Sequence, residues 1–301
     1  VTIFDEATAV TKDGEGRYLA HPDQRFALVA PGSTTPPAIN GGVMLATVLR
    51  AVLDCSPLPH PVATSAHFLR VPKLAPALIE VTWLKTGRTA ATARATLTQD
   101  DEPILETTIT TGTVQVSRPA SAAGAADGAE LSWTGAAPAM PPPSECVNLG
   151  PWPGTVAADG TTGYGGQVCV LLDPAVTGWR SGEPSGLPEM RGYFSLREER
   201  APDALMIAVA VDGLPPVVFG LGATGWAPTV ELTMHMRLVP APGLLAVQAR
   251  CRQVSSGWFD EEAEVWDSVG NLVAQSRQIA RVGRGPVRQR PALAGGVDAT
   301  V

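Results

Sequence analysis

Apolar and polar residues follow two rhythms along this chain, and the rhythms occur in the same order twice. Val43-Met44-Leu45-Ala46-Thr47-Val48-Leu49-Arg50-Ala51-Val52-Leu53-Asp54 is apolar nearly all round. A helix of that composition has no solvent face and must be buried on every side. Asn40-Gly41-Gly42 precedes it, and an Asn at that place can accept from the first free N–H groups, so a cap at Asn40 is predicted. Pro57, Pro59 and Pro61 end the helix. Strand-like runs follow at Ala63 to Val71, at Ala77 to Leu84 and on past a turn at Gly87 to Thr98, and at Ile104 to Val116. Ile79-Glu80-Val81-Thr82-Trp83-Leu84 and Thr92-Ala93-Arg94-Ala95-Thr96-Leu97 alternate as half-buried strands do. Asp100-Asp101-Glu102-Pro103 reads as a turn.

The second pass opens at Ala201. A buried helix is predicted from there to Asp212, with Pro202 in its first turn, Asp203 beside it and Ala204-Leu205-Met206-Ile207-Ala208-Val209-Ala210-Val211 as its body. Strands are predicted at Thr229 to Leu238, Leu244 to Val254, Trp258 to Asp267 and Leu272 to Val282, with Val269-Gly270-Asn271 as the matching turn. A shift of 168 positions lays His67-Phe68 on His235-Met236, Val71-Pro72 on Val239-Pro240, Ile104-Leu105 on Leu272-Val273 and Val114 on Val282. Identity is sparse, so the order of elements carries the repeat. Each buried helix needs a sheet to wrap it, and the economical arrangement joins two such units edge to edge.

Composition narrows the classes. Of 301 residues, 45 % are hydrophobic and 17 % charged, which supports a large core rather than disorder. Lys plus Arg is 22 against 29 for Asp plus Glu, a net charge of −7. That acidic balance argues against a nucleic-acid partner. No apolar run reaches the ~18–20 residues of a membrane span, and Val1-Thr2-Ile3-Phe4-Asp5 does not read as a signal peptide. Cys55, Cys146, Cys169 and Cys251 are far apart, and His21, His60, His67 and His235 lack ligand spacing. No metal site is predicted; reduced thiols and a cytoplasmic location are. The chain has no G-x-S-x-G elbow, no phosphate-binding G-x-x-x-x-G-K-[ST] loop and no dinucleotide G-x-G-x-x-G after a strand. Residues 117–143 are Ala/Gly/Pro-rich and read as a linker between units at 1–116 and 144–283, and 284–301 as a mobile tail.

Gly41-Gly42 opens the first helix. Asp212-Gly213-Leu214-Pro215-Pro216, Trp226-Ala227-Pro228-Thr229-Val230-Glu231-Leu232-Thr233, Gly257-Trp258-Phe259-Asp260-Glu261 and Asn271-Leu272-Val273-Ala274-Gln275-Ser276-Arg277-Gln278 stand in the C-terminal half. In these motifs the chain resembles the bacterial branch of the acyl-CoA thioesterase II family, over about residues 1–116 and 144–283. The resemblance implies an α+β double hotdog, two repeats of a long central helix wrapped by an antiparallel sheet. It implies hydrolysis of fatty acyl-CoA to free acid and CoA with neither metal nor cofactor. By motif position the catalytic trio falls on Asp212, Thr229 and Gln278, with Thr233 as the fallback hydroxyl. An acyl-CoA or acyl-carrier thioester as substrate and a homo-oligomer, dimer or larger, are implied as well.

Taken without the family, each residue has a plain alternative. Asp212 ends an apolar helix, where the macrodipole disfavours a carboxylate. It reads as a solvated helix end or as a base whose pKa the apolar surroundings raise. Thr229 is also an ordinary strand opening, and Gln278 is costly if inward and unpaired but unremarkable if outward. N–H groups of Asn40-Gly41-Gly42 can hold an oxyanion, or the motif is a tight entry turn. Trp226 and Trp258 wall an acyl tunnel or simply pack. In the first half Asp54 matches Asp212 as the acid at the helix end, while Pro61 and Thr110 stand at the 168 offset from Thr229 and Gln278. The trio is therefore expected in the C-terminal unit. Two other readings keep the fold: a tailoring enzyme or (de)hydratase acting on an acyl thioester, and a non-catalytic acyl-thioester binding protein. The hydratase reading wants an Asp–His pair, and no His follows Asp212 in its turn.

Overall fold

The computed structural model describes residues 1–28, 38–119, 133–150 and 163–287; residues 120–132 of the predicted linker and 288–301 of the predicted tail lie outside the described residues. The helices are α1 (Ile3–Ala7), α2 (Gly41–Asp54), α3 (Tyr164–Gln167) and α4 (Ala204–Ala210). In the first half the strands are β1 (Val10–Gly14), β2 (Arg17–Ala20), β3 (Ala27–Leu28), β4 (Ala38–Ile39), β5 (His60–Phe68), β6 (Ala77–Thr86), β7 (Ala91–Gln99) and β8 (Glu102–Gly112). The second half supplies β9 (Val147–Asn148), β10 (Val168–Leu172), β11 (Glu189–Leu196), β12 (Thr229–Met236), β13 (Leu245–Arg250), β14 (Val254–Ser255), β15 (Trp258–Trp266) and β16 (Leu272–Arg281). Apart from β3 and β4, which pair with each other, these strands form one 14-stranded sheet in the order β1-β2-β6-β7-β8-β5-β12-β16-β15-β13-β11-β10-β9, with β14 on β15. No helix among the described residues is long and apolar enough to cross a membrane.

α2 and α4 lie against each other inside this sheet, and Leu45, Val48, Leu49, Ile207 and Val209 have no accessible surface. α2 begins where the sequence predicts, with the Asn40 side chain accepting from Val43 N–H at 3.1 Å. α4 is shorter than its pattern predicts. Asp203 caps it by accepting from Leu205 and Met206 N–H, which leaves Pro202 outside the helix rather than in its first turn. Arg200 pairs with Asp203 at 2.7 Å and with Asp5 at 3.1 Å, and Arg50 on α2 reaches Asp5 at 2.9 Å. The N-terminal segment is thereby tied to both central helices.

The two halves meet at the β5–β12 pair. There Glu231 faces His67, and His235 faces Ala63. Moving each partner of the first pair by 168 residues yields the second, so the offset seen in the sequence is a pseudo-two-fold axis in the sheet, passing between Ser65 and Thr233. Both halves also slip register at the same place: between Pro61 and Ala63 on β5, and between Thr229 and Glu231 on β12. The last strand departs from the offset. Leu232 lies opposite Gln278 while its counterpart Thr64 lies opposite Ile109, so β16 matches β8 at 169. A one-residue slip exchanges the faces of a strand. The inward counterpart of Gln278 is therefore buried Ile109, and Thr110 instead meets Thr92 at 3.1 Å.

Candidate active site

Asp212 follows α4 by one turn residue, and its side chain crosses to the start of the other helix. Asp212 Oδ2 accepts from Gly42 N–H at 3.2 Å and from Asn40 Nδ2 at 3.4 Å. The unfavourable end of α4 is thus offset by the positive end of α2. Gly42 makes this possible, because a Cβ there would stand 2.7 Å from the Ala208 carbonyl oxygen and 2.8 Å from Val209 Cα. Burial pushes the Asp212 carboxyl up to about 6, against the opposing pull of Gly42 N–H, Asn40 and the Thr229 hydroxyl. Tyr164 on α3 faces the same charge, is itself buried, and has a hydroxyl with no hydrogen-bond partner. Burial holds that phenol well above its ordinary range.

The slip on β12 decides which hydroxyl reaches the site. By strict alternation Thr229 would share a face with Glu231 and Thr233, away from the core residues Leu232, Met234 and Met236. The irregularity between Thr229 and Glu231 turns Thr229 inward instead. Its hydroxyl donates to Gln278 Oε1 at 3.0 Å, and Gln278 Nε2 donates to Glu261 Oε1 at 2.9 Å. Glu261 Oε2 accepts from Val217 N–H at 3.2 Å. Burial raises the Glu261 carboxyl to about 7, the Val217 N–H opposes this, and the Asp212 charge adds to the rise.

These groups line one cavity of about 530 Å³. Its deep wall holds Phe259, Glu261 and Gln278, all nearly inaccessible, whereas Leu69, Val71 and Trp226 at the mouth are about half exposed. Phe68, Leu214 and Phe219 make the remainder apolar. No histidine lines the cavity among the described residues, and none of their acidic, Cys and His side chains cluster to hold a metal ion.

Of the residues singled out from sequence, Asp212, Thr229, Gln278, Asn40, Gly41 and Trp226 come together here. Gly42 joins through its N–H, which is bonded to Asp212 rather than free for a substrate. Thr233 does not join: it lies across the sheet and donates to Glu231 Oε1 at 2.7 Å. Trp258 is also elsewhere, because it faces opposite to its neighbour Phe259 and stacks under the Arg281 guanidinium at 4.5 Å. Glu261 was not singled out. Its signal is a Glu in the inward stripe Phe259, Glu261, Ala263, Val265 of β15.

Residues 30–112 match the acyl-CoA thioesterase N-terminal domain and residues 143–282 the acyl-CoA thioesterase C-terminal domain. A crystal structure of a thioesterase II candidate from Thermobifida fusca YX is 38 % identical, with a TM-score of 0.80 over 94 % of this chain and 98 % of that one. An uncharacterized Mycobacterium tuberculosis protein, Rv0499, is 32 % identical over 83 % of this chain and 87 % of its own length. The acyl-CoA thioesterase II TesB2 of Mycobacterium marinum, 17 % identical, shares the fold with a TM-score of 0.66 over 96 % of this chain and 99 % of its own. The chain belongs to the acyl-CoA thioesterase family and has its hotdog fold.

Proposed function

We propose that the protein hydrolyses fatty acyl-CoA thioesters, releasing the free acid and CoA. The observation that carries this reading is that a basic carboxylate, Asp212, and a hydrogen-bonded Thr229–Gln278 pair share one apolar-walled cavity. The acyl chain lies along Phe68, Leu214 and Phe219, and the thioester carbonyl stands before Asp212. A water held by Thr229 and Gln278 loses its proton to Asp212 as its oxygen bonds to the carbonyl carbon. The developing oxyanion faces the first turn of α2, where Gly41 N–H is the donor that neither Asp212 nor Asn40 takes. When the carbon–sulfur bond breaks, the Asp212 proton passes to the CoA thiolate. Water and side chains supply every proton and electron pair, and no acyl-enzyme is formed.

A thiol-release assay with acyl-CoAs of several chain lengths tests this, beside the Asp212→Asn variant. Hydrolysis by the unsubstituted protein and its loss in the variant support the reading. Hydrolysis of none of them transfers the site to the binding or tailoring alternatives. The same assay with acyl-carrier thioesters identifies the delivering group. We also propose a cytoplasmic homo-oligomer, dimer or larger, and a monomer in sedimentation at micromolar concentration refutes the association.

A further inference from the structure

The chain has three tyrosines, and the fold satisfies two of them. Tyr18 OH donates to Asp54 at 2.9 Å, and Tyr193 OH to the Pro141 carbonyl at 3.0 Å. Tyr164 is buried, and its hydroxyl has no partner in the protein. Such a hydroxyl is costly, and a phenylalanine would fill the same space without the cost. Thr64 Oγ1 and Trp179 Nε1 are also buried without a partner, but neither residue lines the cavity. Tyr164 does.

Its surroundings set it at the reacting end of that cavity. α3 packs on the turn Gln24–Phe26 and on β3. The Phe26 carbonyl accepts from Asn40 N–H at 3.2 Å, directly before α2. Tyr164 therefore stands beside the first turn of α2, and the Asp212 charge acts on its phenol. Asp212 Oδ2 is itself held by Gly42 N–H and Asn40 Nδ2. The acceptor that Tyr164 lacks is one that the cavity can bring.

We propose that Tyr164 is a catalytic residue whose hydroxyl donates to the thioester carbonyl oxygen and, with Gly41 N–H, holds the oxyanion that forms there. This rests on the reading of the cavity as a thioester site. A carbonyl that stands before Asp212 and turns its oxygen to the first turn of α2 meets the phenol in the same place. Burial first, and the Asp212 charge second, hold the phenol well above its ordinary range. It therefore keeps its proton while Asp212 acts as a base. The hydrogen bond strengthens as the oxygen gains charge and relaxes when the carbon–sulfur bond breaks and the carbonyl re-forms. The water proton still passes by way of Asp212 to the CoA thiolate, and the products remain the free acid and CoA.

The test reads the bound carbonyl. Acyl-CoAs of several chain lengths, isotope-labelled at the thioester carbonyl carbon, are bound to Asp212→Asn, and the label identifies the carbonyl band in infrared difference spectra. A hydrogen-bonded carbonyl absorbs at lower frequency than a free one. Adding Tyr164→Phe should move the band to higher frequency, whereas adding Tyr18→Phe should leave it in place. With Asp212 present, Tyr164→Phe should lower kcat by about 10²-fold, the scale for one oxyanion donor, at little change in KM and with no loss of thermal stability. A merely structural Tyr164 would show the reverse, a less stable fold and an unmoved band. A band that Tyr164→Phe does not move overturns the proposal and leaves the hydrolytic reading intact. A band that moves in a protein that hydrolyses none of these thioesters supports the hydrogen bond and overturns the hydrolytic reading. The absence of any bound thioester overturns both.

Discussion

The two halves of this molecule share a sheet, an axis and even a register slip, but only one of them keeps a polar wall. Thr229, Gln278 and Glu261 in the second half correspond to Pro61, Ile109 and Ala93 in the first. The acids at the two helix ends differ as sharply. Asp212 is half-buried on the cavity wall, whereas Asp54 is exposed and accepts from Tyr18 OH at 2.9 Å. Tyr18 is buried and satisfied; Tyr164, which faces the Asp212 charge, is buried and unsatisfied. The positions of the polar wall are thus filled in the first half by Pro61, Ile109 and Ala93, and the polar set in the second half is an addition that packing at those positions does not require.

The asymmetry is broken or sharpened first by activity. Asp212→Asn should lower kcat/KM for acyl-CoA hydrolysis by ~10²–10⁴-fold, the scale for a positioned acid–base group, while Asp54→Asn leaves it unchanged. Equal losses in the two variants would erase the distinction between the halves. Stability should instead treat the halves alike where they are both core. Leu49→Ala and Ile207→Ala, each at 0 % exposure, should each cost about 2–5 kcal/mol in denaturant unfolding. A loss below ~1 kcal/mol at either site would mean that its helix is not central.

A smaller effect links the site to pH. The Asp212 carboxyl sits at about 6 in the folded chain against 3.8 ordinarily. Between those values the folded state binds the proton that the unfolded state has lost. Stability therefore declines as pH rises from about 4 to about 6. Asp212→Asn should be more stable than the unsubstituted protein at pH 8, by about 1–3 kcal/mol, with the gain gone below pH ~4. Hydrolysis should run the other way, rising with pH through about 6 as Asp212 ionises. Smallest are the tyrosines. Tyr18→Phe should cost about 1 kcal/mol by removing a hydrogen bond. Tyr164→Phe should be neutral or stabilising by up to about 1 kcal/mol, because its hydroxyl has no partner to lose. Thermal unfolding of the two variants side by side reads both signs.

Strict alternation made β5 to β8, β12, β15 and β16 legible, and the uniform apolarity of residues 43–54 located α2. What escaped has identifiable causes. β11 alternates well, but Gly192 stands at one of its inward positions, where the Leu171 backbone leaves no room for a Cβ, and glycine hides a hydrophobic rhythm. α4 is shorter than its apolar run because apolarity marks burial and the Asp203 cap marks the helix start. Asp212, Thr229 and Gln278 were found through motif resemblance, since each alone has an ordinary explanation. Thr233 and Trp258 were misplaced by single-residue geometry: a bulge before one, and the alternation of faces at the other. The pairing of Ile109 rather than Thr110 with Gln278 depends on a one-residue slip that no offset in the sequence reveals.

Gly42 leaves no room for a methyl group between α2 and the backbone of α4, and the same residue donates to Asp212. Its consequence is a coupling of heredity as much as of shape. The acid is encoded in the second repeat and its holder in the first, so the repeat without a polar wall of its own is still constrained at position 42. A side chain larger than hydrogen at position 42 would push α4 outward and carry Asp212 with it. A substitution about 170 residues upstream of the acid in the chain would then disable the site as surely as a change to the acid itself, and the two repeats must mutate as one unit.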